Sequence, residues 1–447
     1  MSMKGITARQ REDMMAVLAA ALKAVDPAQA VRNCVRREGT RLVVGDNAYD
    51  LDSFKRILVV GAGKASGPMA QALEEILESR LEGGVVNVKE GYAVDTRRIE
   101  LIEAAHPVPD ESGLRGTDRI LRLAAEANAD DLVFCLISGG GSALMELPAG
   151  EITLDDLQQL TDLLLRSGAT INEVNTVRKH ISQVKGGGLA RAAAPATLIA
   201  LILSDVVGNP LDFIASGPTV PDTTTFQDAW NLLGKFNLQD AIPQSVRAQL
   251  ERGLNQSIPE TPKEGDPIFA RTASVLVGSN EIAARAALDA AQKLGYNALL
   301  VTTWVEGEAR EVAKVMAGVA KGLIRHHSPL LPPACLIFGG ETTVTVGGEG
   351  KGGRSQEMAL AVSLALDGWE NVAVMAVGTD GTDGPTDAAG GIADGTVAAR
   401  ARALNLDPLA YLDSNDSYHF LRQTDALLVT GPTNTNVNDL IFVYAFS

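Results

Sequence analysis

The 447-residue chain carries 39 Lys and Arg against 55 Asp and Glu, a formal net charge of -16. That balance excludes a nucleic-acid binder, whose partner's phosphates need a basic face. With 46% hydrophobic and 21% charged residues the chain is an ordinary globular protein, long enough for two cores. Its longest apolar run, Thr197 to Leu203, has strand length and cannot span a bilayer. The N-terminus (Lys4, Arg9, Arg11, Glu12, Asp13) lacks the apolar stretch of a secretory signal, so the expected location is the cytoplasm.

Strand-like runs alternate with helical patterns almost throughout, which predicts parallel α/β sheets. In chain order these are a strand at Ile57–Val60, a helix at Pro68–Arg80, a strand at Val85–Val88, a turn at His106–Pro109 and a helix at Gly113–Asn128. Leu132–Ile137 and Thr197–Leu203 are nearly all apolar, as strands covered on both faces should be. The second half predicts a strand at Ser274–Val277, a helix around Ile282–Leu294 and strands at Ala298–Thr302, Ala334–Phe338, Thr342–Val346, Val372–Val377, Ala426–Val429 and Ile441–Ala445. The proline-rich, polar stretch Ala241–Arg271 reads as a helical piece and a linker. It sets an expected N-terminal domain over residues 1–265 and a C-terminal one over 266–447. Cys135 and Cys335 lie in apolar runs and read as buried thiols, and the three cysteines have no metal-ligand spacing.

Glycine carries most of the functional signal: there are 44, clustered directly after predicted strands, where ligands of open α/β sheets bind. Gly61-Ala62-Gly63-Lys64-Ala65-Ser66-Gly67 is not a Walker A loop, because Leu58 and Ala65 replace the required glycine and hydroxyl residue. It does place Lys64 as a point charge in an anion-binding turn; the plain alternative is a tight turn with a solvated lysine. Ser138-Gly139-Gly140-Gly141-Ser142 offers backbone N–H groups and two hydroxyls to phosphate oxygens. Leu144 rules out a G-x-S-x-G elbow around Ser142.

Basic residues gather at Arg178, Lys179 and Lys185, ending in Gly186-Gly187-Gly188, the local positive field an anion would need in an acidic chain. A solvated helix face with a glycine stop remains the alternative. Asp205, at the end of Thr197–Leu203, suits a Mg²⁺ ligand or a base. In the second half, Gly339-Gly340-Glu341 follows a strand and Gly353-Arg354 opens a helix. Asp380, Asp383 and Asp387 punctuate a glycine-rich loop, with Mg²⁺ binding and turn-capping both open. The histidines have no zinc spacing, and His106 reads as a turn residue.

Taken together, Gly61–Gly67, His106–Asp110, Ser138–Leu144, Asn175–Leu189, Ser204–Pro218, Gly339–Glu341, Gly353–Glu357 and Gly378–Gly390 resemble, in this order, the glycerate kinases whose C-terminal portion is the MOFRL domain. The resemblance spans nearly the whole chain. It implies a Rossmann-like N-terminal domain and a C-terminal α/β domain with the site in the cleft between them. It also implies catalytic roles for Lys64 and Arg354, with Asp205 and Glu341 lining the site.

The resulting expectation is transfer of a phosphoryl group from ATP to glycerate. The glycines at 61, 63, 139–141 and 186–188, with Ser138, Ser142 and Lys185, would hold the nucleotide. Lys64, Arg178, Glu341 and Arg354 would hold glycerate. Asp205, Glu341 or Asp380 would hold Mg²⁺, with Asp205 as the base. Some relatives of this kind are labelled hydroxypyruvate reductases, so an NAD(P)H-dependent reductase using Gly61-x-Gly63-x-x-Ser66 is the runner-up, and a non-catalytic metabolite-binding protein the third reading. Partners are small molecules, with no membrane or nucleic acid; a homodimer is compatible, although no residue specifies it.

Overall fold

The computed structural model describes residues 5–447, so Lys4 lies outside the described residues. The chain divides into two compact units, residues 27–277 and residues 1–26 with 278–447. An N-terminal helix, α1 (Ala8–Ala24), belongs to the second of these.

The unit 27–277 begins with α2 (Pro27–Cys34) and a three-stranded antiparallel meander, β1 (Val35–Glu38), β2 (Arg41–Val44) and β3 (Asn47–Asp50). Then follow β4 (Arg56–Ala62), α3 (Ser66–Leu77), β5 (Gly83–Lys89), β6 (Ile99–Ala104), α4 (Glu111–Ala125) and β7 (Asp131–Ile137). After them come α5 (Gly141–Leu144), α6 (Leu154–Arg166), α7 (Ile171–His180), α8 (Gly188–Ala193), β8 (Thr197–Leu203), α9 (Phe226–Lys235), α10 (Gln244–Leu254) and β9 (Thr272–Gly278).

The main sheet has the order β6-β5-β4-β7-β8-β9, with β4/β5, β5/β6, β4/β7 and β7/β8 parallel. Every residue of β7 and β8 is buried, which is why both read as unbroken apolar runs rather than alternating ones. In chain order of its six strands this is the 3-2-1-4-5-6 arrangement of Rossmann folds. Its order reverses between β4 and β7, and in such sheets ligands bind at that point, beyond the strands' carboxyl ends. A separate helical cluster, α6, α7, α9 and α10, packs around Leu160, Leu164, Val177, Leu233 and Leu250. Three of its helices start in reciprocal capping boxes, Thr153/Asp156, Thr170/Glu173 and Thr225/Asp228, each satisfying two otherwise unpaired N–H groups.

In the second unit, α1 is followed by α11 (Asn280–Lys293), β10 (Asn297–Glu308), α12 (Ala309–His326), β11 (Ala334–Thr343), α13 (Arg354–Ala365), β12 (Val372–Gly378), β13 (Gly390–Asp394), β14 (Leu427–Leu428) and β15 (Asp439–Ala445). Its sheet has the order β10-β11-β15-β12-β13-β14. Only β10/β11 is parallel; β11/β15, β12/β15, β12/β13 and β13/β14 are antiparallel. The parallel sheet expected here is therefore corrected. Parallel neighbours need a long crossover, usually a helix, whereas the loop from Thr379 to Ala389 carries no helix and returns the chain beside β12.

Two other expectations change, and two features were not expected. Thr342–Val346 is not a separate strand, because β11 runs on through Gly339 and Gly340 to Thr343. The 35–50 meander and β13 had no predicted counterpart. The expected boundary near 265 falls short of β9, which completes the sheet of the first unit. Cys135 and Cys335 are buried and unpaired, as expected. No single helix among the described residues is long and apolar enough to cross a membrane.

Candidate functional site

The reversal point of the 27–277 sheet gathers most of the predicted residues. Lys64 follows β4 directly, and its backbone N–H donates to the Gly139 carbonyl at 2.9 Å, tying the two glycine loops together. Ser138 completes the brace, its hydroxyl accepting from Ala65 N at 3.0 Å and lying 3.0 Å from the Ser66 hydroxyl. Gly140 takes a φ of +82°, which only glycine adopts at no cost. A β-carbon there would fall 3.0 Å from His106 Nε2 and 3.5 Å from Lys64 Cε. The Asp205 carboxylate, at the end of β8, lies against the Cα of Gly139. Lys64, His106, Asp205 and the first glycine triplet therefore share one corner. His106, read as a turn residue, belongs to it; burial, reinforced by the charges of Lys64 and Lys89, brings its imidazole down to about 4.

Gly61 and Gly63 serve a different purpose from the one expected. Gly61 lies within β4, paired with Leu136, and a β-carbon would collide with the Leu136 carbonyl. At Gly63 it would collide with the Ser138 hydroxyl. The space of their missing side chains is filled by β7 and by Ser138 just after it, not held open for a pyrophosphate.

The 175–188 segment is also reassigned in part. Lys185 is fully buried, its ammonium ion-paired to Glu146 and donating to the Ser142 carbonyl at 2.8 Å. It is spent inside the fold. Gly186 N–H donates to Ser216 O, Gly187 N–H to Gly217 O and Gly188 N–H to Lys185 O, so this triplet closes a packed turn and has no free N–H row for phosphates. What it does support is a polar chain: the Ser142 hydroxyl meets that of Ser216 at 2.8 Å, and Ser216 donates to Asn175 Oδ1 at 3.1 Å. Arg178 is partly buried and reaches Thr161 Oγ1 at 3.4 Å.

A second cluster lies in the other unit, around a cavity of about 660 Å³ lined among others by Arg354, Thr379, Asp380, Asp383, Asn436 and Asp439. Arg354, at the first turn of α13, donates bidentately to Asp439 (2.6 and 3.1 Å) and to Glu341 at 2.6 Å. Burial alone would lower the guanidinium's pKa, but these two carboxylates more than offset it and keep the group protonated. Asp439, almost fully buried, is pushed up by that burial to about 7 against the pull of Arg354. Asp383 is pushed up by burial to about 6 although Ser355 and Gln356 N–H groups donate to it. Asp380 folds back on Thr382 N–H at 2.9 Å, the turn-capping alternative, and also lines the cavity.

Glu341 pairs with Arg354; Asp439 was missed. Its signal was the density of short polar residues just before the last strand, Thr433 to Asn438. Asn280 was missed as well. It donates to the Val437 and Asp439 carbonyls at 2.8 and 2.9 Å and fixes the entry to that strand.

No group of three or more His, Cys, Asp or Glu residues placed to hold a metal occurs among the described residues. The carboxylates fit Mg²⁺ only in the mode in which nucleotide phosphates carry most of the coordination and the protein adds one or two oxygens.

The chain matches two family models, a domain of unknown function (DUF4147) over residues 13–251 and the MOFRL family over 334–439. It is 44% identical to the glycerate 2-kinase of Pyrococcus horikoshii over 98% of both chains. It is 46% identical to the D-glycerate 2-kinase of Thermotoga maritima over 87% of this chain and 90% of that one. The solved structure of a Thermotoga maritima glycerate kinase superposes with a TM-score of 0.88 at 41% identity, covering 98% of this chain and all of that one. A Pyrococcus horikoshii structure superposes with a TM-score of 0.89 at 44% identity, covering 99% of this chain and all of that one. With that identity along nearly its whole length, the chain belongs to the glycerate kinase family that joins a DUF4147 domain to a MOFRL domain.

Proposed function

We propose that this protein is an ATP-dependent D-glycerate 2-kinase, forming 2-phosphoglycerate and ADP. The observation that carries the reading is the meeting of Lys64, Gly139–Gly141 and Asp205 at the reversal point of a Rossmann-ordered sheet, in a chain 44% identical throughout to a glycerate 2-kinase. Phosphoryl transfer asks a protein for positioning and charge neutralisation rather than covalent chemistry. The first glycine triplet supplies close backbone approach to the nucleotide's phosphates. Lys64 and Arg354 neutralise the substrate carboxylate and the charge on the transferred group. Glu341, the more exposed of Arg354's two partners, is the one an incoming carboxylate displaces.

In the reaction the glycerate C2 oxygen forms a bond to the γ-phosphorus, the bond from that phosphorus to the β–γ bridging oxygen breaks, and the hydroxyl proton passes to Asp205. Mg²⁺, completed by Asp205 or by Glu341 and Asp380, would supply charge neutralisation on the phosphates. The glycines that motivated the reductase alternative are accounted for by strand packing at Leu136 and Ser138.

The test is to follow ADP release with glycerate, ATP and Mg²⁺, and NADH loss with hydroxypyruvate in parallel. Glycerate-dependent ADP and a 2-phosphoglycerate product are expected. NADH oxidation without ADP would replace this reading with the reductase, and silence in both assays with a binding protein.

A further inference from the structure

A second cavity, of about 360 Å³, lies within the 27–277 unit, where the end of α7, helices α8 and α10 and the segment 258–262 meet. No residue of the Lys64 corner lines it. Its walls carry Lys179, Lys185, Arg191 and Arg252, and no Asp or Glu among the described residues. In a chain of net charge -16, a hollow walled by cations alone concentrates anions. The four cations are not equivalent. Lys179 is paired with Asp222 at 3.3 Å and Lys185 with Glu146, all four side chains being buried. Arg191 gives one N–H to the Glu260 carbonyl at 2.6 Å and keeps the rest of its fork. The Arg252 side chain has neither ion pair nor hydrogen bond among the described residues. Three residues before it on α10, on the same helix face, stands Gln249. It is 8% exposed, yet its amide has no hydrogen-bond partner among the described residues, although buried polar groups are normally paired. Gly150, at a φ of +63°, makes room for both: a β-carbon there would fall 3.1 Å from Gln249 Oε1 and 3.7 Å from Arg252 Nη1. The unspent amide and the unspent guanidinium therefore share one wall.

We propose that this cavity is a binding site for a small phosphomonoester, separate from the site of phosphoryl transfer. Arg191 and Arg252 come from different helices. A planar carboxylate satisfies one guanidinium fork, whereas a tetrahedral phosphate has oxygens enough for two. Gln249 pairs with a remaining phosphate oxygen or with a hydroxyl on the ligand's body, which supplies the partner its buried amide lacks. Size sets the class further. At roughly 30 Å³ per water, a cavity of about 360 Å³ holds about a dozen waters. That is room for a phosphate with a body of a few carbons and too little for a nucleotide, so the occupant is not the ATP of the proposed reaction.

The test is calorimetric titration of the full chain with glycerol 3-phosphate. One molecule per chain should bind, inorganic phosphate should compete with it, and glycerol should not bind. Arg252→Glu, at an exposed position, should keep the fold by circular dichroism and the glycerate-dependent release of ADP. It should weaken binding by roughly 10- to 100-fold, the usual loss for a hydrogen bond to a charged group. Arg252→Gln should weaken it less, and Lys64→Ala should leave it unchanged. Absence of binding at millimolar glycerol 3-phosphate overturns the proposal, as does an affinity that glycerol shares or that Arg252→Glu leaves intact. Binding lost in Lys64→Ala but kept in Arg252→Glu overturns it too, because the ligand then sits at the transfer site. None of these results alters the outcome of the ADP assay on which the kinase reading stands.

Discussion

Lys64 and His106 meet beside Gly140, and the low basicity of the imidazole leaves the lysine as the cation of that corner near neutral pH. Its folded-state value, about 4, lies below the ~6.5 of an unfolded histidine. Between those two values the unfolded chain binds the proton that the folded chain refuses, so stability falls as pH drops from about 6.5 toward 4. His106→Gln removes this contribution. The stability difference between wild type and variant, from denaturant midpoints, should narrow steadily across that window, and a gap independent of pH would refute the assignment. For Lys64 the expectation is kinetic. Lys64→Ala should lower kcat by on the order of 10²- to 10³-fold, the usual cost of one charge-stabilising donor, with the melting temperature little changed. Arg354→Ala should lower kcat to a similar degree. If both cations serve one reaction, the double variant should fall short of the product of the two losses. Strict multiplication would argue for independent roles.

At the level of elements, the same signal, glycine after a strand, had three physical origins here. Gly140 needs its positive φ at a converging loop, Gly61 and Gly63 admit the neighbouring strand, and Gly186–Gly188 close a turn around a buried ion pair. Composition cannot separate these, because each asks only that a side chain be missing. The strands themselves were legible: Leu132–Ile137 and Thr197–Leu203 agree with β7 and β8 to within a residue, since burial on both faces leaves an unbroken apolar run. Pairing direction was not, as it depends on what connects the strands. Asp439 was hidden because its partner Arg354 lies 85 residues away. The reassignment of Lys185 has its own test. Removing the ammonium strands the Glu146 carboxylate in the core, which costs roughly 3–5 kcal/mol. Lys185→Met should therefore lower the unfolding free energy by about that amount while the KM for ATP of the folded fraction changes little. Adding Glu146→Leu should recover much of the loss. An intact stability with a large rise in KM would return Lys185 to the nucleotide.

For the molecule as a whole, the N-terminal helix is the element whose membership sequence order conceals. It precedes the first unit but belongs to the second, where Met14, Val17, Leu18 and Ala21 are fully or almost fully buried. Its register is fixed at mid-helix and at its C-terminal end. Tyr296 donates to Asp13 at 3.1 Å, and Thr435 donates to the Val25 carbonyl at 2.6 Å. The alanines of α11, including Ala283, Ala284, Ala287 and Ala291, leave room for a close helix neighbour. Without α1 that small-residue surface would face water. Burial at about 1.5–3 kcal/mol per large apolar side chain makes the apolar face of α1 a substantial part of that unit's core. A fragment of residues 27–277 should thus fold and melt cooperatively alone. Residues 278–447 alone should melt without a cooperative transition or aggregate, and a permuted chain that joins residues 1–26 behind residue 447 through a flexible linker should regain the sharp transition. If 278–447 by itself melted as sharply as the permuted chain, α1 would be an appendage and not part of that core.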